Sequence, residues 1–355
     1  MNDIPNNPCL VSPDRLKKFV TDALLASGIP AADAAIIAPL MVEADLSGAD
    51  GHGIFRLPQY VRRIRAGGIN AQPDIRLVQD NPAAALVDGD NGMGHLVLHK
   101  AAETAIAKAT INGVAWVGVR NSNHAGAASN YARLPLKHDM VGLYIAVGSA
   151  NHLPPWGGVD MLLSTNPIAV AIPAMEEPPI VLDMATTVAA YGKVKTAAQR
   201  GEQMPEGWMI DREGKPLTDP AKANEGFLLP IGGYKGYGLA LIFGLLAGTL
   251  NGAAMGRDVV DFNADDETPT NTGQAMMAIS LKAFGEPEVI KRQVDEVART
   301  MRSSKLLPGA DAIRVPGEVS HERRQNRQEK GVPLPSPLVA GLDELATDLG
   351  IEKLV

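Results

Sequence analysis

The chain holds one cysteine, Cys9, in 355 residues. A lone thiol closes no internal disulfide and builds no thiolate metal site, as expected of a protein kept in a reducing compartment. A basic excess is also missing. The formal net charge is −7, which argues against the positive face that nucleic-acid binding requires. Long hydrophobic runs are absent: the longest, "YGLALIFGLLAGTL", has 14 residues and is broken by glycine, too short to span a bilayer. The opening "MNDIPNNPCLVSPDRLKKF" has no basic segment leading into an apolar one, so no export signal is expected. No G-x-G-x-x-G follows a strand, and neither a P-loop nor a G-x-S-x-G elbow occurs. What is there, 45% hydrophobic and 21% charged residues, is the composition of a soluble globular protein. The expectation is a cytoplasmic chain of two or three subdomains, with neither membrane nor nucleic acid as a partner.

The first 70 residues read as helical. "SPDRLKKFVTDALLASG" begins on a Ser cap, ends on Gly28 and spaces its apolar residues three and four apart; "PAADAAIIAPLMVEADLSG" repeats the design. After "GGINAQP" the pattern changes to short β-branched runs, "AALVDGD", "VAWVGVR", "VGLYIAV", "IAVAIP" and "PIVLDMA", each bounded like a buried strand. The alanine-rich "LVLHKAAETAIAKATING" lies between the first two, so strand, helix and strand predict a crossover unit in an α/β sheet. "MIDREGKPLTDP" predicts a hairpin or ordered loop with Glu213-Gly214 at its tip. "GGYKGYGLALIFGLLAGTL" predicts a helix apolar on all sides and hence central. "NADDETPTNTG" reads as a surface loop and "QAMMAISLKAFG" as a strand, and "PEVIKRQVDEVARTMRSS" and "SPLVAGLDELATDLG" close the chain as helices. Helices at both ends predict a discontinuous helical domain.

Chemistry gathers at a few points. "SGADGHGIFRLPQYVRRI" sets His52 between two glycines and Arg56 one helical turn on. A turn followed by a surface helix explains this pattern. So does a proton-transferring imidazole beside a guanidinium that holds a carboxylate. "VRNSNHAGAASNYA" puts His124 on a loop after a strand, leading into a helix whose N-terminus offers N–H groups to an anion. "VGSANHLPPWGG" and "STNPIAV" are further polar loops at strand ends, and "VLDMATTVAAYGK" places Asp183 at the end of an apolar strand. "LPIGGYKGYGLAL" joins glycines, Lys235 and a helix start, the ingredients of a phosphate cradle. "IRVPGEVS" offers Arg314, Gly317 and Glu318 on a rigid turn. His95 and His99, four apart, share a helix face but have no evident third ligand; no metal site is expected.

The segments "DGHGIFRLPQY", "VRNSNHAG", "PWGG…STNPIAVAIP", "VLDMATT", "GGYKGYGLAL" and "RVPGE" occur in the order and spacing of the malate/L-lactate dehydrogenase family, which the chain resembles from about residue 10 to 350. That group also holds ureidoglycolate, sulfolactate and diketogulonate oxidoreductases and the piperideine/pyrroline-2-carboxylate reductases. The resemblance implies an α/β fold without a Rossmann domain: a mixed sheet flanked by helices, L-sulfolactate dehydrogenase-like, with a helical domain formed from both chain ends, in a homodimer. It further implies a division into residues 1–75 (helical, carrying the acid/base His), 76–120 (substrate-side α/β), 121–275 (cofactor-binding α/β) and 276–355 (a strand and helices packing back on the N-terminal segment).

By the same resemblance the acid/base group falls on His52 and the substrate-carboxylate clamp on Arg56. Asp183 falls where some members place a relay to that His; His124 falls where others place the proton transfer. NAD or NADP contacts fall on Val181, Leu182, Asp183, Met184, Ala185, Thr186 and Thr187, on Tyr234, Lys235 and Gly236, and on Pro316, Gly317 and Glu318. Gly51 departs from the family, many members of which carry Ser there. The implied activity is hydride exchange between nicotinamide and a small 2-oxo or 2-hydroxy acid. Reduction of cyclic 2-imino carboxylates and a ureidoglycolate-type dehydrogenation are the alternatives within the family. A silent, ligand-sensing relative is the alternative outside catalysis.

Overall fold

Alternation along single strands builds the centre of the molecule. In Met140–Ala146 the side chains of Tyr144 and Ala146 enter one apolar core, while Leu143 and Ile145 face another on the opposite side. This computed structural model describes residues 8–355; residues 1–7, which open the stretch read as lacking an export signal, lie outside the described residues.

The elements follow in chain order. The first part runs β1 (Cys9–Val11), α1 (Pro13–Ala26), α2 (Ala31–Ser47), α3 (Leu57–Ala66), β2 (Arg76–Asp80), β3 (Ala84–Asp88), α4 (Gly94–Asn112) and β4 (Val114–Ser122). Next come α5 (Ala128–Ala132), β5 (Met140–Ala146), β6 (Ile168–Ile172), β7 (Ile180–Met184), α6 (Tyr191–Arg200), β8 (Met209–Asp211), β9 (Gly226–Leu228) and α7 (Tyr234–Ala247). The last part holds β10 (Thr272–Ser280), α8 (Pro287–Arg302), α9 (Glu318–Lys330), β11 (Val332–Leu334) and α10 (Ser336–Leu349).

Seven strands form one mixed sheet in the order β2-β3-β4-β10-β5-β6-β7. Its parallel pair is β3 with β4, joined through α4 as the crossover predicted; the other pairs are antiparallel. Helices α4 and α5 cover one face and α7 the other. The chain ends meet: β1 pairs antiparallel with β11, and α1, α2, α3 and α10 share one core through Phe19, Ile37, Tyr60 and Leu342. The helical domain formed from both ends is therefore real.

Three expectations need correction. Helix α7 is not central within the single chain: Gly236, Ala240, Gly244 and Ala247 lie on the sheet side, while Ile242 stays 52% exposed and Leu250, just beyond, 65%. Its small buried residues let the backbone approach the sheet and leave the large ones outside. Helix α3 is no surface helix, since Leu57, Gln59, Tyr60, Val61 and Arg63 are buried. The surface loop read in "NADDETPTNTG" is there, and Arg63 anchors it by donating to the carbonyls of Asp265 and Thr268. The strand β10 starts two residues before "QAMMAISLKAFG" and lies in the middle of the sheet. The hairpin tip at Glu213-Gly214 forms as expected, with Asp211 N donating to Lys215 O at 2.9 Å.

Candidate active site

Two short turns deliver the opening pair. His52 ends a 3₁₀ turn, Asp50–His52, and Arg56 ends the next, Ile54–Arg56, just before α3. The turn is pinned from α2: the carboxylate of Asp45, 1% exposed, accepts from Ile54 N at 2.8 Å. Arg327 of α9 donates to the Asp45 carbonyl and to the Asp50 carboxylate. Burial, with Asp50 adding to it, pushes the Asp45 carboxyl up to about 8.

Strand β4 delivers the second imidazole. Just past its end, Asn123 is fully buried and donates to Asn91 and Gly92, while Gln274 of β10 donates to its carbonyl. His124 follows directly. Its ring stacks on His52 with centroids 5.7 Å apart. Tyr60 of α3 donates its hydroxyl to His124 Nδ1 at 2.6 Å, and Gly126 N approaches the same atom at 3.4 Å. Nδ1 is thus the acceptor, and the neutral ring carries its proton on Nε2. Gly126 has φ +71, and a side chain there would press on His95 Nε2 and the His52 carbonyl. Glycine is what allows these three segments to meet.

Burial makes the cluster resist protonation. It lowers His52 below the ordinary imidazole value, helped by Arg56 and opposed by Asp183. His124 is lowered further, by burial first and then by Arg56, His52 and His95. His95 was read as half of a helix-face pair. It instead sits fully buried edge-on to Tyr60, with neither ring nitrogen bonded among the described residues, and is held down at about 3 by burial. His99 pairs with Glu103 at 3.7 Å and takes no part.

Arg56 Nε donates to Gly51 O at 3.0 Å, and one terminal nitrogen donates to Gln59 Oε1 and to Asn263 Oδ1, both at 2.9 Å. Lys195 of α6 reaches the same Asn263 oxygen at 3.2 Å. Beside it His152 stacks on Tyr191 at 3.9 Å, and burial lowers His152 to about 4. Tyr60, Lys195 and Asn263 escape a sequence reading, and His95 was read only as a partner of His99, because nothing in the chain marks four distant segments as neighbours. For Asn263 the faint signal was a run of Asx residues closing a loop.

Asp183 lies within electrostatic reach of His52, yet its carboxylate accepts from Ser129 N at 2.9 Å. Among the described residues no hydrogen bond joins it to the imidazole. The N-terminal amide of α5, offered by the sequence to an external anion, is thus taken by this internal one. At Gly51 no atom lies within 4 Å of where a side chain would start.

The three expected cofactor segments do meet, along β7 at the sheet edge. Val181 N donates to Pro316 O at 2.9 Å, and Gly317, with φ +92, packs directly on Val181. Glu318 closes its own turn by accepting from Val315 N at 2.9 Å and faces Arg302 at 3.2 Å; Arg314 is exposed. At the strand's far end Ile231 N donates to Thr186 O at 3.0 Å, which brings the start of α7, with Tyr234, Lys235 and Gly236, alongside Thr186 and Thr187. Leu182, Met184 and Ala185 lie between these anchor points, with Leu182 left exposed. The loops "VGSANHLPPWGG" and "STNPIAV" hold structure: Asn166 ties Gly148 N to the Ala240 carbonyl of α7.

The sequence profile described as malate/L-lactate dehydrogenase matches residues 11–343. The L-sulfolactate dehydrogenase of Methanocaldococcus jannaschii is 40% identical over 96% of this chain and 98% of that protein, and its solved structure superposes with a TM-score of 0.90 over 97% and 98% of the two chains. The malate dehydrogenase of Pyrococcus horikoshii is 36% identical over 99% and 98%, with a TM-score of 0.90. The NAD(+) ureidoglycolate dehydrogenase of Escherichia coli K12 is 32% identical over 91% of each chain. With a profile match over nearly its whole length and relatives above 30% identity, this chain belongs to the malate/L-lactate dehydrogenase family.

Proposed function

We propose that this protein is an NAD- or NADP-dependent oxidoreductase that exchanges a hydride with a small 2-oxo or 2-hydroxy acid. The observation that carries the reading is the convergence of His52, His124 and Arg56, with Asp183 of β7, the strand on which the three expected cofactor segments meet, in electrostatic reach of His52. The residues there suit a dinucleotide. Leu182, Val188 and Trp156 are exposed apolar surface of the kind a flat ring covers, and the α7 N-terminus with the exposed Lys235 suits a diphosphate. When bound, the nicotinamide supplies or accepts the hydride.

The chain's own groups do the rest. Arg56 holds the substrate carboxylate in a planar, charge-assisted grip. His52, neutral at working pH, takes the hydroxyl proton on oxidation and returns it to the oxygen on reduction. Tyr60 fixes the His124 ring, so that its Nε2–H donates to a substrate oxygen. Asp183 supports the charge that His52 gains, acting through space while bound to Ser129.

The exposed apolar flank of α7 supports a homodimer formed by a second copy, with Ile242 and Leu245 at its centre. The division of labour drawn over 1–75, 76–120, 121–275 and 276–355 belongs to the same proposal, as does a cytoplasmic location. Among the described residues no helix is long and apolar enough to cross a membrane. Oxidation of NADH and NADPH, followed with a panel of 2-oxo acids, Δ1-piperideine-2-carboxylate and oxalurate, tests the reading. Turnover of a 2-oxo acid is expected; exclusive turnover of the cyclic imine moves the assignment to that reductase class. Failure of both cofactors to bind at millimolar concentration overturns the proposal.

A further inference from the structure

Two cations share one neutral oxygen in this site. Arg56 and Lys195 both donate to Asn263 Oδ1, at 2.9 and 3.2 Å, so their nitrogens lie no more than two hydrogen bonds apart. An amide oxygen offsets neither charge. The nearest acid, Asp261, is engaged in holding Asn263, accepting from its backbone N at 2.8 Å and its Nδ2 at 3.2 Å. Lys195 makes no ion pair among the described residues; its ammonium lies over the Tyr191 ring at 5.6 Å. That ring, stacked on His152, walls a cavity of about 200 Å³ shared with Asn151, Met161 and Asp261.

Like charges brought this close in a half-buried place repel unless an anion joins them. Burial and the Arg56 charge lower Lys195 from its ordinary value, and the nearby Asp261 carboxylate offsets them only in part. One carboxylate on Arg56 satisfies one of the two cations. A substrate with a second acidic group, spaced a carbon or two from the reacting centre, satisfies both.

We infer that Lys195 is a specificity-determining residue, which selects 2-oxo and 2-hydroxy acids bearing a second anionic group, a carboxylate or a sulfonate. The inference rests on the oxidoreductase reading for its substrate frame, with Arg56 on the carboxylate beside the reacting carbon and Lys195 on the distal acid. Lys195 touches no reacting atom; its effect belongs in discrimination between substrates rather than in chemistry.

The experiment has a kinetic and a binding arm. Values of kcat/KM are measured for oxaloacetate, 3-sulfopyruvate and pyruvate in wild type, Lys195→Met and Lys195→Arg. Wild type is expected to prefer at least one dianion over pyruvate by tenfold or more, and the preferred one tells carboxylate from sulfonate. Lys195→Met is expected to collapse that ratio ten- to a hundred-fold, and Lys195→Arg to keep most of it. The binding arm titrates the cofactor-loaded protein with succinate and propionate, which do not react. Succinate is expected to bind more tightly, and Lys195→Met to erase the difference. If no 2-oxo acid is reduced, the oxidoreductase reading fails, and the binding arm alone still decides whether Lys195 selects dianions. Equal handling of mono- and dianions by wild type, or equal losses for all ligands in Lys195→Met, overturns the inference.

Discussion

Arg56 reaches its place through three hydrogen bonds that fix the guanidinium plane, to Gly51, Gln59 and Asn263. Its replacement by Met keeps the length and removes a charge-assisted bond worth about 1.5–3 kcal/mol, or roughly ten- to a hundred-fold in kcat/KM. Cofactor affinity is expected to hold, which separates loss of the clamp from loss of fold. For the proton, burial separates the two imidazoles: His124 lies well below the ordinary value and stays neutral, while His52 lies closer to it and is backed by Asp183. Oxidation of the hydroxy acid therefore rises with pH through an apparent pKa below about 6.5, and reduction falls through the same value. His52→Ala is expected to lose that limb together with about 10²–10⁴ in rate; His124→Ala is expected to lose rate while keeping the limb. A retained limb in His52→Ala would transfer the proton to His124. Gly51→Ser meets no atom within 4 Å, so activity within about ten-fold of wild type is expected, a window far narrower than loss of a positioned acid/base. His52, Arg56, His124 and Asp183 were legible because each sits where a turn or strand end exposes a reactive group. Tyr60 was not, since a Tyr on an amphipathic helix looks like ordinary core, and His95 was read with His99 on a helix face rather than with Tyr60.

The elements that could be read were those whose period and punctuation agree. Helices α1, α2, α4 and α10 and strands β3 to β7 combine apolar spacing with Gly or Pro stops. Strand β2 was missed because all five of its residues are exposed on a sheet edge and carry no alternation. Helix α9 was missed for a similar reason: "EVSHERRQNRQEK" offers one apolar side chain, and its place is set by Arg324 bonding Glu43 and Arg327 bonding Asp50 on distant α2 and its turn. Helix α7 was legible as a helix but not in its burial, because an all-apolar pattern does not say whether sheet or second chain covers each side. Its N-terminus gives a prediction at this scale. A methyl at Gly236 overlaps the Ile231 carbonyl, whose own amide is bonded to Thr186, whereas a methyl at Gly238 meets nothing within 4 Å. Gly236→Ala is therefore expected to displace the 229–233 turn and weaken NADH binding by roughly tenfold or more, the loss of about one hydrogen bond to a charged group. Gly238→Ala is expected to leave the affinity unchanged and to stabilise α7 by about 0.5–1 kcal/mol. Fluorescence titration of both variants checks the pair, and equal affinities would remove α7 from the cofactor site.

Across the whole molecule, buried titratable groups pull stability in opposite directions. His95 and His152 are held at about 3 and 4, and His124 well below its ordinary value, each chiefly by burial. Below about 6.5 the unfolded chain takes up protons that these folded imidazoles refuse, so their contribution is lost as the pH falls. Asp45 has the reverse sign. Folded, it keeps its proton up to about 8; unfolded, it gives that proton up above 3.8. Between these values rising pH favours the unfolded chain. Below about 6.5 the three imidazoles outweigh the one carboxyl; above it their opposition fades and Asp45 comes to dominate. Stability is therefore expected to peak a little above pH 6.5 and then decline by about 0.5 kcal/mol toward pH 8, since the last imidazole protons of the unfolded chain offset much of the roughly 1.4 kcal/mol per unit that one proton gives. Asp45→Asn mimics the protonated acid, since its carbonyl oxygen still accepts from Ile54 N, and is expected to flatten the alkaline side while leaving the acid side in place. Urea unfolding of both proteins at half-unit steps from pH 5 to 9 measures this. An alkaline decline that survives in Asp45→Asn would assign it to some other group and leave the Asp45 carboxylate ionised beneath the His52 turn.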